Sequence, residues 1–393
     1  MIARNTSSFK AWPRAAACAA ILSLAACDAA LLPSGSGGPL AGGGGGGAVQ
    51  VALLVPRSDA GARAVATDLE RAARLAVADL NGVDVDLRVY DTAGQPATAA
   101  AVAQQAVDEG AQVILGPLFA EAANAAAVSV ADEGVSVLSF SNNPTIAGGN
   151  LFILGATFEN AAERVVSYGA RQGVDDLAVL YTQDVAGQVG RNAVQSAASR
   201  SGARVVASEP YALNTQSLTS ALGRISPVID SGEAEGLVLT DTWEGGLSVV
   251  LQLGPEQGIA PSAVQYMGLT RWDTRSDGFR LPGIEGAWFT MPSRSAQSAF
   301  ESRYTQTYGG TPHPLAGLAF DGVAAVGALV GQGRSNALSV NSLTQGSGFQ
   351  GASGVFRLRS DGTNERGLAV ATVRNGQVVI LDPAPRGFGG AGS

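Results

Sequence analysis

The sequence predicts an α/β fold of two lobes, each a mainly parallel sheet with helices on both faces. Strand-like apolar runs alternate with helical segments from Val49 to Leu381, which is the pattern of strand–helix–strand units. Several of the runs show no polar alternation, as expected of strands buried on both faces. The body of about 330 residues also exceeds a typical single hydrophobic core, which favours two lobes.

One strand–helix–strand unit within residues 112–144 shows the pattern best. The apolar run Val113–Leu115 predicts a buried strand, and Gly116-Pro117 breaks it. An Ala-rich helix is predicted over Ala120–Asp132, followed by a strand over Val135–Phe140. Such strands are parallel with a right-handed crossover, and open parallel sheets bind ligands at the carboxyl ends of their strands. The loops after these two strands are therefore predicted to form half of a ligand site.

The same reasoning extends along the body. Further strands are predicted at Val49–Val55, Val85–Tyr90, Leu177–Tyr181, Arg204–Ala207, Gly236–Thr240, Val264–Leu269, Gly286–Met291, Gly354–Leu358, Gly367–Val373 and Val378–Leu381. Further helices are predicted at Ala62–Leu80, Ala296–Tyr308, Leu315–Gly331 and Leu338–Thr344. Asn375-Gly376 joins the last two strands and predicts a tight hairpin.

The N-terminal segment has the features of an export signal. A basic start precedes a dozen apolar residues, too few to span a bilayer, and the segment ends Leu24-Ala25-Ala26-Cys27. This resembles the lipobox of bacterial lipoproteins, which implies a signal peptide over 1–26 and acylation of Cys27. The alternative is an ordinary secretory signal in which Cys27 is incidental. Residues 27–48 are predicted to be a Gly-rich tether, reaching roughly 25 Å as a flexible coil.

Composition excludes several classes of function. Without residues 1–26 the chain has 22 basic and 33 acidic residues, a formal charge of −11, which argues against nucleic-acid binding. It has no lysine, one cysteine and one histidine, His313, which is predicted to be an exposed loop residue. A lysine Schiff base, a cysteine nucleophile other than Cys27 and a multi-histidine zinc site are thereby excluded. The sequence predicts a non-enzymatic protein with no cofactor and no metal site.

Four stretches in order resemble the type I periplasmic binding proteins, in particular the leucine/isoleucine/valine-binding branch. They are VQVALLVPRSD, VILGPLFA with VSVLSFSNNP, the segment from ATFENAAERVV to SGARVV, and LAFDGVAAVGAL with FQGASGVFRLRSDG. The resemblance implies two lobes joined by three crossovers, with a small polar ligand closed between them. It places lobe 1 at 49–155 plus 291–345 and lobe 2 at 156–290 plus 346–381. Residues 382–393 are predicted to be a flexible tail.

The resemblance also implies a set of ligand-contacting positions in the loops that follow the strands. They are Ser58, Phe119, Ala120, Phe140, Ser141 and Asn142 in lobe 1, and Trp243, Thr270 and Arg271 in lobe 2. Amino-acid binders carry a hydroxyl where this chain has Phe119-Ala120, and an acid for the ligand ammonium near Thr270. The aliphatic amino-acid site is therefore not intact, although Asp273 could supply the acid. An amino-acid-like ligand or a small anion held by Arg271 is expected.

Two partner classes follow from the resemblance. The first is the inner-membrane permease of an ABC-type uptake system, with the protein as its substrate-binding component. The second is a peptidoglycan synthase, because the opening VALLVP, the GPLF stretch and the tether also resemble the penicillin-binding protein activators, which are regulatory lipoproteins. The expected location is the periplasmic side of a bacterial envelope membrane. Asp28, directly after Cys27, favours the inner membrane.

Overall fold

Residues 47–389 are described by the computed structural model of the chain. The predicted signal peptide, Cys27 and most of the tether lie outside these residues. Fifteen strands are present in the described part: β1 Val49–Val55, β2 Val85–Asp91, β3 Val113–Leu115, β4 Ser136–Ser139, β5 Leu151–Ile153, β6 Asp176–Thr182, β7 Arg204–Tyr211, β8 Gly236–Leu239, β9 Gln265–Gly268, β10 Trp288–Met291, β11 Phe349–Gly351, β12 Gly354–Leu358, β13 Asn364–Arg366, β14 Ala369–Arg374 and β15 Gln377–Asp382.

Ten α-helices lie between these strands over residues 47–389. They are α1 Arg63–Asp79, α2 Pro96–Asp108, α3 Ala120–Ser129, α4 Phe158–Arg171, α5 Val185–Ser201, α6 Thr215–Asp230, α7 Leu247–Glu256, α8 Arg294–Tyr308, α9 Ala316–Val330 and α10 Val340–Leu343. No helix within the described range is long and apolar enough to cross a membrane.

The first sheet has five parallel strands in the order β2-β1-β3-β4-β5. Side chains of β1 alternate between its two faces, because successive residues of a strand point in opposite directions. Val51, Leu53 and Val55 pack with α1 and α9 on one face. Ala52 and Leu54 pack with α2 and α3 on the other. This two-sided burial explains why the strand is an unbroken apolar run.

The second sheet has seven strands in the order β15-β14-β10-β9-β8-β6-β7. Strands β6 to β10 are parallel, and β14 and β15 add antiparallel to the edge. Helices α6 and α7 cover one face of this sheet, and α4 and α5 cover the other. The hairpin between β14 and β15 turns at Asn375 and Gly376, both with positive φ, as the sequence predicts. The two sheets confirm the predicted α/β class.

A third sheet of three antiparallel strands, β11-β12-β13, was not anticipated as a separate unit. The sequence assigns residues 346–381 to lobe 2. Phe349, Phe356 and Leu358 instead pack in the apolar core shared by β1, α1 and α9, on the first sheet. They are buried there because their side chains lie on one face of the small sheet and meet the apolar helix α9. The remaining lobe boundaries stay a prediction.

The last described residues contact the body. Asp382 ends β15, and its carboxylate lies 2.9 Å from the Arg164 guanidinium. The Arg357 guanidinium lies over the ring of Phe388, 4.7 Å from its centroid. The tail predicted to be flexible from residue 382 therefore makes specific contacts as far as Phe388.

The chain passes three times between the second sheet and the part formed by the first and third sheets. The three crossovers are residues 154–157 between β5 and α4, residues 292–293 between β10 and α8, and residues 367–368 between β13 and β14. The first is followed at once by a capping box, in which Thr157 and Asn160 exchange hydrogen bonds at the start of α4. This fixes the direction in which α4 leaves the crossover.

A buried polar network ties the first crossover to the third. Arg366 donates from Nε to the Leu154 carbonyl at 2.9 Å and from Nη1 to the Asp321 carboxylate at 2.8 Å. The other Asp321 oxygen accepts from the Ala352 amide at 2.6 Å. Asn364 donates to the carbonyls of Ile153 and Gly155 at 2.8 Å each. Burial acts to raise the pKa of Asp321, and the Arg366 guanidinium opposes this.

We predict that Asp321→Asn destabilises the fold strongly. The variant leaves the Arg366 guanidinium buried without a counter-charge, which should lower the free energy of unfolding by about 3 kcal/mol. Urea unfolding followed by circular dichroism measures the change. The matched control is Asp277→Asn, which breaks the exposed ion pair with Arg275 and should have a far smaller effect. If Asp321→Asn lowers the free energy of unfolding no more than Asp277→Asn does, the buried pair is not important for stability.

Candidate functional site

A cavity of about 360 Å³ is walled by all three crossovers. Residues from both sides of the crossovers line it, together with the start of α8, the turn before α9 and the loops after β4, β8 and β9. The lining residues are Asn142, Ala156, Thr157, Phe158, Ala161, Thr242, Leu269, Thr270, Arg271, Thr290, Met291, Pro292, Gln297, Phe300, Glu301, Pro312, His313, Pro314, Leu315, Gly317, Leu318, Ala352, Ser353, Val355, Arg366 and Leu368. Its size and mainly apolar lining are those of small-molecule sites.

Three of the nine predicted contact residues line this cavity. Asn142 follows β4, and Thr270 and Arg271 follow β9, so all three lie beyond the carboxyl ends of parallel strands. The Thr270 hydroxyl donates to the Asp241 carbonyl at 2.8 Å, which holds the loop after β9 against the loop after β8. The structure thus brings together one predicted residue from the first sheet and two from the second.

The other lobe 1 candidates do not line the cavity. Phe140 is 2% exposed and belongs to the core of the first sheet. The Ser141 hydroxyl accepts from the Asn143 amide at 3.1 Å, within a buried turn. Ser58 lies after β1, where its amide donates to the Asp91 carboxylate at 3.2 Å. Phe119, 40% exposed, directly precedes α3, and Ala120 is the first residue of that helix. Ligand contact at these positions stays a prediction.

Trp243 is buried rather than presented to a ligand. It is 7% exposed and packs in the core of the second sheet. Its indole nitrogen donates to the Arg271 carbonyl at 3.1 Å, and its ring lies so close to Gly278 that a Cβ there would clash. The aromatic therefore positions the loop after β9, which itself lines the cavity.

The charge of Arg271 is already compensated. Its Nε and Nη2 donate to the two carboxylate oxygens of Asp273 at 2.7 and 2.5 Å, a bidentate pair. The family resemblance implies either an anion held by Arg271 or an ammonium group paired with Asp273. Because the two side chains neutralise each other, this geometry supports neither role.

Sequence reasoning missed most of the lining residues, among them Phe300, Glu301 and His313. Phe300 and Glu301 lie on the second turn of α8, and His313 lies in the turn before α9. His313 is only partly exposed, so the expectation of an exposed loop residue was wrong. The available signal was position in the chain, because α8 begins directly after the second crossover and its first turns face the crossovers.

A buried carboxyl group lies beside the cavity wall. Asp241 follows β8 and is 3% exposed, and it accepts a hydrogen bond from the Tyr211 hydroxyl on Oδ1. No described residue donates to Oδ2. Burial raises the pKa of Asp241 to about 6, and burial next to this acid raises the pKa of Tyr211. The group is therefore protonated over part of the ordinary pH range.

The family model described as "Periplasmic binding protein" matches residues 48–377 of this chain. The chain belongs to the periplasmic binding protein family. This confirms the resemblance found in the sequence. No sequence among the curated proteins matches the chain at a significant level.

Solved structures of ABC transporter components share the fold. A putative branched-chain amino acid ABC transporter from Rhodospirillum rubrum superposes with a TM-score of 0.73 at 20% identity, covering 85% of this chain and 100% of that one. An ABC transporter substrate-binding protein from Desulfitobacterium hafniense in complex with Leu gives 0.62 at 19% identity, covering 85% and 100%. A solute-binding protein from R. palustris in complex with benzoate gives 0.55 at 17% identity, covering 88% and 98%. The two-lobed α/β fold predicted from the sequence is confirmed.

We predict that Asp241 makes stability depend on pH. Its pKa is about 6 in the folded chain and about 4 in an unfolded one, so the folded state binds more protons between these values. The contribution of Asp241 to the free energy of unfolding is fully present below about pH 4. This contribution is lost as the pH rises through 6. Relative to Asp241→Asn, the wild type should lose about 2 kcal/mol of unfolding free energy between pH 4 and pH 7.

Urea titrations of both proteins at several pH values measure this difference. The exposed carboxyl of Glu133 serves as the control, since Glu133→Gln should leave the pH dependence of the wild type unchanged. Parallel stability curves for the wild type and Asp241→Asn would contradict the prediction.

Proposed function

We propose that this protein is the solute receptor of an ABC-type uptake system, binding a small molecule between its two lobes. The observation that carries the proposal is the cavity walled by all three crossovers, because any rotation of one lobe against the other changes the shape of that cavity. A ligand that contacts both sides binds the closed form more tightly and shifts the equilibrium toward it.

The same proposal includes a lipid anchor at Cys27 and a permease as the partner protein. Acylation of Cys27 attaches the protein to the periplasmic side of the inner membrane, and the tether over 27–48 gives the lobes reach toward a permease. The ligand is an amino-acid-like or otherwise small polar compound with an apolar part, because apolar side chains dominate the cavity wall.

A second candidate is regulation of a peptidoglycan synthase by protein contact. It is supported by Phe119, an exposed large apolar side chain at the loop after β3, where amino-acid binders carry a hydroxyl. A surface aromatic suits a protein partner better than an amino-acid carboxylate.

We predict that Ala156→Trp abolishes ligand binding. Ala156 lies exposed on the first crossover and lines the cavity, so an indole there occupies ligand space without disturbing the core. The full chain, purified in detergent, is screened by thermal shift against amino acids, small carboxylates, amines and peptidoglycan fragments. A compound at 100 times its dissociation constant adds about 2.7 kcal/mol of stability. Hits should disappear in Ala156→Trp.

The matched control is Ala131→Trp, at an exposed position that does not line the cavity. Hits should persist in this variant. Hits that survive Ala156→Trp would place the ligand elsewhere. A panel without any hit, together with capture of a peptidoglycan synthase from envelope extracts, would favour the second candidate over the receptor.

A further inference from the structure

The charges that line the cavity decide which ligands it favours. Four ionisable side chains are present in the lining: Arg271, Glu301, His313 and Arg366. The two arginines carry no net charge into the cavity, since Arg271 is paired with Asp273 and Arg366 with Asp321. The sign of the net charge at the cavity wall therefore depends on Glu301 and His313.

His313 is held by hydrogen bonds that involve its own turn. Its Nδ1 accepts from the Leu315 amide at 3.2 Å, so this nitrogen carries no proton in that arrangement. Its backbone amide donates to the Asp68 carboxylate at 2.8 Å, which ties the turn to α1. These two hydrogen bonds fix the turn that carries His313 at the cavity wall.

Glu301 is the one lining carboxylate, and it has no cationic partner among residues 47–389. Its Oε1 accepts from the Gln297 amide at 2.7 Å, one turn earlier on α8. No described residue donates to its Oε2. Because Glu301 is only partly exposed, its charge is less well screened than a surface carboxylate and attracts a positive group in the cavity.

Aromatic side chains add to this preference. Phe158 and Phe300 line the same cavity, Phe158 at the start of α4 and Phe300 beside Glu301 on α8. A cation above an aromatic face is attracted by the negative charge density of the ring. The remaining wall is largely aliphatic, as at Leu269, Leu318 and Leu368, and suits an apolar body.

We propose that the cavity binds an organic amine, with an apolar body and a protonated nitrogen, and that Glu301 is the counter-ion of that nitrogen. This inference rests on the proposed receptor function and specifies its ligand class. It replaces the expected anion, because the arginine that would have held it is occupied by Asp273. It also places the ammonium partner on α8, after the second crossover, instead of in the loop after β9.

Four compounds that share the same 3-methylbutyl apolar part test the proposal by isothermal titration of the full chain in detergent. They are leucine, 3-methylbutylamine, 3-methylbutanol and 4-methylpentanoate, which differ in the charged groups they carry. The amine should bind at least 10-fold more tightly than the alcohol, and the carboxylate should bind more weakly than either. Glu301→Gln should weaken amine binding 10- to 100-fold and leave alcohol binding unchanged, which also shows that the variant is folded.

The matched control is Glu133→Gln, which removes the same charge from an exposed position outside the cavity and should leave amine binding unchanged. Amine binding no tighter than alcohol binding overturns the inference, and so does an equal loss of both in Glu301→Gln. Preferential binding of leucine or 4-methylpentanoate overturns it while the receptor function stands. If none of the four compounds binds, the inference falls, and the receptor function falls with it only if the broader thermal-shift panel is also negative.

Discussion

The buried pair of Asp321 and Arg366 is the interaction on which the arrangement of the crossovers depends. Asp321 is the only ionisable residue of the otherwise apolar helix α9, and both of its oxygens accept hydrogen bonds. Taking two charges out of water is expensive, so such a pair persists only where further hydrogen bonds satisfy it. Here the Leu154 carbonyl and the Ala352 amide do so. One ion pair thereby joins α9, β13 and the first crossover.

The charge of the cavity wall depends on this network. Because Arg366 is fully used by Asp321 and Leu154, it forms part of the wall and brings no free charge to it. The same holds for Arg271, which Asp273 compensates. A wall that includes two arginines is thus electrostatically dominated by a single carboxylate. A count of the charged lining residues alone, two arginines against one glutamate, would have given the opposite sign.

The sheets were predictable because their signals are local. Unbroken apolar runs such as Val51–Val55 mark strands buried on both faces, and Asn375-Gly376 marks a hairpin by its backbone conformation alone. The short strand β5 was missed, since three residues carry too little pattern. Residues 349–358 were placed in the wrong lobe, because which core accepts Phe356 depends on tertiary packing and not on its neighbours in sequence.

The candidate site was predictable only in part for the same reason. The rule that ligands lie beyond the carboxyl ends of parallel strands located Asn142, Thr270 and Arg271. It cannot locate Glu301 or His313, which reach the cavity from a helix and a turn that follow the second crossover. Nor can it show that Arg271 and Asp273 neutralise each other, since either side chain alone fits a ligand role.

The position of the cavity against the three crossovers has a mechanical consequence. Any bending axis between the lobes passes through the crossovers, and Asn364 and Arg366 bind the first of these to β13, the strand that leads into the third. Points near such an axis travel along short arcs, while the distant rims of the lobes sweep along long ones. A molecule bound in this cavity therefore lies close to the axis about which the lobes would rotate. Any displacement at the cavity surface therefore corresponds to a larger displacement at the rims of the lobes.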